Sequence, residues 1–92
     1  MSVVRDSLDV QVDEAERAAR AAIARETWLC SDGHPHPRPE TFTVARLRSE
    51  VMTLPEARPW TGAVVALGIY RMIADGTLTQ DARLRLSVAS HD

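Results

Sequence analysis

The longest apolar run of the chain, residues 63–70, lies inside a segment, 60–75, whose only charges are Arg71 and Asp75. An apolar segment of that length predicts a helix, and Gly76 behind it predicts a left-handed residue that ends it. Beyond Gly76, Leu78, Leu84, Leu86 and Val88 alternate with polar residues in two short runs around Gln80, Asp81 and Ala82. That is the rhythm of a hairpin, with strands at 77–79 and 84–88. On such a strand Arg83 and Arg85 share one face and Leu84 and Leu86 the other.

Upstream, Leu8, Val10 and Val12 alternate with Asp9 and Gln11, which predicts a short strand or an arm, 1–12, lying on the domain. Asp13 and Glu16 are spaced like a capping box, so the first helix is expected at 13–29. Asp13 with Arg17 and Glu16 with Arg20 mark its wet face. Ala15, Ala18, Ala19, Ala22, Ile23 and Leu29 form the opposite face, where small side chains let another helix approach closely. Pro35, Pro37, Pro39 and Gly33 predict a loop over 30–40. A second helix is expected at 43–53, capped by Thr43, with Phe42 and Leu47 spaced as a hydrophobic staple. The third helix, 60–75, starts at Pro59 or at Thr61. The expected core is Ile23, Leu29, Phe42, Leu47, Val51, Leu67, Ile73, Leu78, Leu84 and Leu86. Replacing Leu67 by Ala at such a site would cost about 2–5 kcal/mol.

With 92 residues the chain is expected to be one domain, 13–92, with a modest core. The net charge of −2 hides a division, since residues 1–40 carry five Arg against eight acids and residues 41–88 six Arg against four acids. The second half is mildly basic, which permits contact with DNA without demanding it. All eleven basic residues are Arg, which points to coding bias in a GC-rich genome. The lone cysteine, Cys30, has no partner for an intramolecular disulfide and fits a reducing cytoplasm, the expected location. The first residues turn acidic at once without an apolar core of a leader, and no apolar run is long enough to span a bilayer, so no membrane partner is expected.

Phe42-Thr43-Val44-Ala45-Arg46-Leu47-Arg48, then Arg58-Pro59-Trp60-Thr61-Gly62-Ala63-Val64, then Ile73-Ala74-Asp75-Gly76-Thr77-Leu78 resemble helix 2, the turn with helix 3, and the wing of small winged helix-turn-helix proteins of bacteria and phages. The resemblance covers residues 41–88 and is one of pattern. It implies a mainly α fold of three helices plus a C-terminal β-hairpin, and DNA binding with helix 3 in the major groove and the wing beside the backbone. Arg46, Arg48, Arg58, Thr61, Arg71, Arg83 and Arg85 are then the candidate DNA contacts of a dimeric transcription regulator. Arg83 and Arg85 have a plainer reading as guards of an exposed strand edge.

Helix 3 departs from a base-reading helix because Thr61, Tyr70 and Arg71 are its only polar side chains of reach. A helix apolar nearly all round is buried or faces a partner. Val65, Ile69 and Met72 form its third side and are the candidate surface for self-association or a protein partner. The amino-terminal arm as a cover, and DNA reading through the first turn alone, remain alternatives. Cys30, His34 and His36 gather potential zinc ligands, with His91 near the tail, yet a second ligand cluster at standard spacing is missing and a plain proline-rich loop is the stronger reading. Asp6-Ser7-Leu8 matches the phosphopantetheine tripeptide of carrier proteins out of its context, which makes the match chance. No glycine-rich phosphate loop, carboxylate pair or Ser/His/Asp set stands in a recognisable setting, so neither an enzyme nor a cofactor or small-molecule substrate is expected.

Overall fold

In the computed structural model of the chain, which describes residues 7–29 and 33–89, the elements run α1 (Ser7–Ala24), β1 (Thr27–Leu29), β2 (Pro35–Pro37), α2 (Val44–Met52), a 3₁₀ turn (Pro55–Ala57), α3 (Gly62–Ala74), β3 (Leu78–Gln80) and β4 (Leu86–Val88). Three helices thus combine with two small antiparallel strand pairs. Among the described residues no helix is long and apolar enough to cross a membrane.

α1 corrects the expected boundaries at both ends. Residues 7–12 belong to the helix rather than to a strand or arm, and the rest of the expected arm lies outside the described residues. The reason is the buried stripe: Val12, Ala15, Ala19, Ala22 and Ile23 recur at helical spacing and are buried, whereas Leu8 and Val10 of the apparent alternation stay exposed. Asp13 therefore sits mid-helix, where it pairs with Arg71 instead of capping. The helix ends at Ala24 because Trp28 turns back into the core, and its indole N–H donates to the Ala22 carbonyl at 2.7 Å. That carbonyl belongs to the last turn and also accepts the Arg25 amide at 3.2 Å.

The expected loop contains a strand. β1 and β2 pair with Thr27 opposite Pro37, Trp28 opposite His36 and Leu29 opposite Pro35. The amide of Arg38 donates to the Glu26 carbonyl at 2.9 Å. In an antiparallel ladder hydrogen-bonded pairs alternate, so 26/38 and 28/36 are bonded pairs and both prolines fall where the N–H would point away. Proline spacing of two thereby spares the ladder. Leu29, expected in the core, is exposed at the hairpin edge.

α2 begins as its cap predicts, and of the two starts left open for α3 the structure takes the Thr61 cap. The Thr43 hydroxyl accepts from the Arg46 amide and the Thr61 hydroxyl from the Val64 amide. Glu50 of α2 is a carboxylate 1% exposed, and it accepts the Leu29 amide at 2.9 Å while Arg46 and Arg25 lie at 3.4 and 3.8 Å. It fastens the β1–β2 hairpin to α2. Arg46 also stacks over the Trp28 ring and donates to the Leu29 carbonyl.

α3 packs on α1 at Gly68, and Val65, Ile69 and Met72 on the same side of the helix are buried. A Cβ added at Gly68 would lie 2.8 Å from the Glu16 backbone nitrogen, so the two backbones meet there with no room for a side chain. The alanine face of α1 supplies the complementary surface. Leu67 is 45% exposed and is not a core residue, which corrects its expected placement; the large cavity cost belongs to the fully buried Ile69 instead.

β3 and β4 pair with Leu78 opposite Val88 and Gln80 opposite Leu86. Phe42 exchanges both backbone hydrogen bonds with Leu86, so β4 has neighbours on both edges. Gly76 ends α3 in the left-handed region, with φ of 86°. The second strand starts at Leu86 rather than at residue 84, because Leu84 belongs to the intervening loop.

Candidate functional site

Three of the arginines expected to meet DNA, Arg46, Arg71 and Arg85, have partners within the chain. Arg46 is held between Glu50, Trp28 and the Leu29 carbonyl. Arg71 pairs with Asp13, and Glu16 lies 3.9 Å away. Arg85 donates to the Thr41 hydroxyl at 3.1 Å. Arg48 lies on the other side of α2 from Arg46, its aliphatic stem beside Gly62 in the first turn of α3. Arg58 closes the 3₁₀ turn and is exposed. Among the described residues no carboxylate pairs with the guanidinium of Arg48, Arg58 or Arg83. Thr61 spends its hydroxyl on the α3 cap.

Val65, Ile69 and Met72, expected to form a partner surface, are each 0% exposed. They face α1 because Gly68 on the same side admits that helix, and so they cannot line an interface on the folded chain. The exposed side of α3 is instead Ala63, Leu67, Tyr70, Arg71 and Ala74. Leu67 and Tyr70 are 45% and 52% exposed. The sequence did carry a signal for this choice: a glycine inside a helix costs about 1 kcal/mol, and Gly68 marks the side on which close approach is required.

Beside that face lies a groove of about 580 Å³ lined by Thr43, Val44, Ala45, Tyr70, Gln80, Arg83 and Leu84. Four elements build it: the first turn of α2, the outer side of α3, the end of β3, and the loop joining β3 to β4. Asp81 shapes that loop. One oxygen of its carboxylate accepts the Arg83 and Arg85 amides at 2.8 and 3.0 Å, and its carbonyl accepts the Leu84 amide at 3.0 Å. Leu84 is thereby held at φ 63°, a left-handed conformation that costs a branched side chain about 1–2 kcal/mol. It is also 65% exposed, so burial within the chain does not offset the strain. The expectation that Leu84 points inward beside Leu86 is corrected by this turn, and Arg83 and Arg85 are loop residues rather than one face of a strand.

At the far end of α3, Arg20 of α1 bonds Glu16, the Thr77 hydroxyl and Asp75. Asp75 accepts the hydroxyl and amide of Thr77 and bonds Arg20, which together hold its carboxyl down to about 2. The Arg20 guanidinium is raised, chiefly by Asp75 and then by Glu16. This cluster is a clasp between α1 and the start of β3.

His34 and His36 are exposed on the β1–β2 hairpin. Cys30 and His91 lie outside the described residues, and among the described residues no group of three or more His, Cys, Asp and Glu could hold a metal ion. Comparison of the chain with protein families, curated proteins and solved structures gave no match to any of them.

Proposed function

We propose that the chain is a small domain of winged helix-turn-helix type whose third helix binds a partner protein. The winged reading is supported by the order α2, 3₁₀ turn, α3 and hairpin, and by β4 pairing also with Phe42 just before α2. The observation that carries the functional reading is the exposed side of α3. Where a base-reading helix needs several donors and acceptors, this one offers Ala63, Leu67 and Ala74 with the single hydroxyl of Tyr70, and its one cation, Arg71, is tied to Asp13. Contiguous exposed apolar and aromatic side chains on a rigid helix are the usual anchors of protein interfaces.

Affinity capture from cells expressing the tagged full chain tests this, with wild type and Leu67→Glu run side by side. A protein retained by wild type and lost by the folded variant is expected. Equal retention by both, or retention of nothing by wild type, contradicts the proposal. The second reading, a dimeric DNA-binding regulator, is favoured by one observation: Arg48 and Arg58 sit at the entry to α3 without a carboxylate partner among the described residues. It requires duplex binding that weakens with salt.

A further inference from the structure

From the groove beside α3 we infer the chemistry of what docks there: a partner segment that sets a large apolar side chain next to a carboxylate, gripped by Leu84 and Arg83. The inference rests on the reading of α3 as a protein-binding face and extends it to the neighbouring loop. Its apolar part comes from Val44, Ala45, Tyr70 and Leu84, which form the walls. Leu84 is decisive among them. It is the only non-glycine residue at positive φ among the described residues, and the most exposed of their large apolar side chains.

A strained backbone that leaves a leucine 65% exposed gains little from burial inside the chain. Such strain persists where the surroundings impose it, and it gathers at ligand-holding positions. Here Asp81 imposes it, by taking the amides of Arg83, Leu84 and Arg85. A glycine would fill the same turn without strain. The strained turn therefore holds a leucine side chain out to solvent, and its available partner is another molecule.

Charge selects the rest of the occupant. The lining contains no Asp or Glu, and its one ionised side chain is the guanidinium of Arg83, which lacks a carboxylate partner among the described residues. Arg85 next to it is bonded to a hydroxyl, Thr41, rather than to an acid. The one acid of the loop, Asp81, is turned to the loop's own amides and leaves the loop with one net positive charge. The first turn of α2 on the opposite wall carries no acid either, so its amide dipoles favour negative charge in the same place. An acidic apolar segment meets all of these features, whereas a basic one meets Arg83 and the helix end with repulsion.

The test pans a phage-displayed library of random peptides, each of about sixteen residues, against the full chain, and then measures the affinity of the enriched peptides for three variants. Enrichment of Asp or Glu beside Leu, Ile or Phe is expected. Affinity should fall at least about tenfold in Leu84→Gly, whose melting temperature is unchanged or higher, and severalfold in Arg83→Glu. Peptides without an acidic bias, or with affinity indifferent to both substitutions, overturn the inference, as does a library that yields none. If the selected peptides ignore Leu84→Gly and Arg83→Glu but are lost in Leu67→Glu, the groove is wrong and the α3 reading stands. If all three variants bind as wild type does, both fall. Self-association abolished by Leu84→Gly, or duplex binding abolished by Arg83→Glu, would give the groove to a second copy or to DNA and overturn the inference equally.

Discussion

Of the four glycines, Gly68 is the one whose surroundings leave no room for a Cβ. The atoms a Cβ would meet there are backbone atoms of Glu16 and Ala15, which cannot swing aside as a side chain end can. Gly68→Ala should therefore destabilise by about 1–3 kcal/mol despite the better helix propensity of alanine, because overpacking outweighs it. Urea unfolding checks this, and a stability equal to or above wild type would mean that α1 and α3 do not meet as described. The alanine face of α1 was legible from sequence, and so was the need for a partner helix against it. Which side of α3 answers it was harder to see, because Val64, Val65, Leu67 and Ile69 are equally apolar and only Gly68 distinguishes one direction. Leu84 defeated sequence reading for a different reason: alternation with Arg83 and Arg85 looks like a strand, while the Asp81 turn that breaks it depends on backbone geometry.

At the scale of elements, α1 and the α3–β3 junction are joined by Arg20, Asp75 and Thr77. Because the folded state holds the Asp75 carboxyl at about 2, below the roughly 3.9 of an unfolded chain, the ionised form favours folding. Its contribution is complete above about pH 4 and disappears as the pH falls through about 2. Wild type should melt above Asp75→Asn at neutral pH, and the gap should close progressively below pH 4. A gap that is constant from pH 7 to pH 2 would mean that the ionised carboxylate of Asp75 is not what favours folding. The cap at Thr43 and the glycine stop at Gly76 were readable because each is a local rule satisfied by residues a few positions apart, whereas the start of α3 stayed open between Pro59 and Thr61 because both satisfy such a rule. The β1–β2 pair was not readable, since proline content argues for a loop, and only the register that turns both prolines outward reconciles it with a ladder. Likewise the fastening of that hairpin by Glu50 joins residues far apart in sequence, and no local pattern announces a buried carboxylate on α2.

For the whole molecule, folding engages half of the six arginines in the basic second half. Arg46, Arg71 and Arg85 are occupied within the chain, and what remains around α3 is apolar surface with a few cations at its edges. Composition could count the arginines but not reveal which of them the fold consumes. The central claim, that α3 presents its outer side to protein rather than to bases, is tested most directly by one titration. The full chain is added to a labelled mixed-sequence duplex, and fluorescence anisotropy is followed at low salt and again at physiological salt. The account predicts no saturable binding at physiological salt and, at low salt, at most a weak association that Arg48→Glu and Arg58→Glu diminish while Leu67→Glu does not. Binding in the micromolar range or tighter that persists at physiological salt and is abolished by Leu67→Glu would place α3 against DNA and contradict the account.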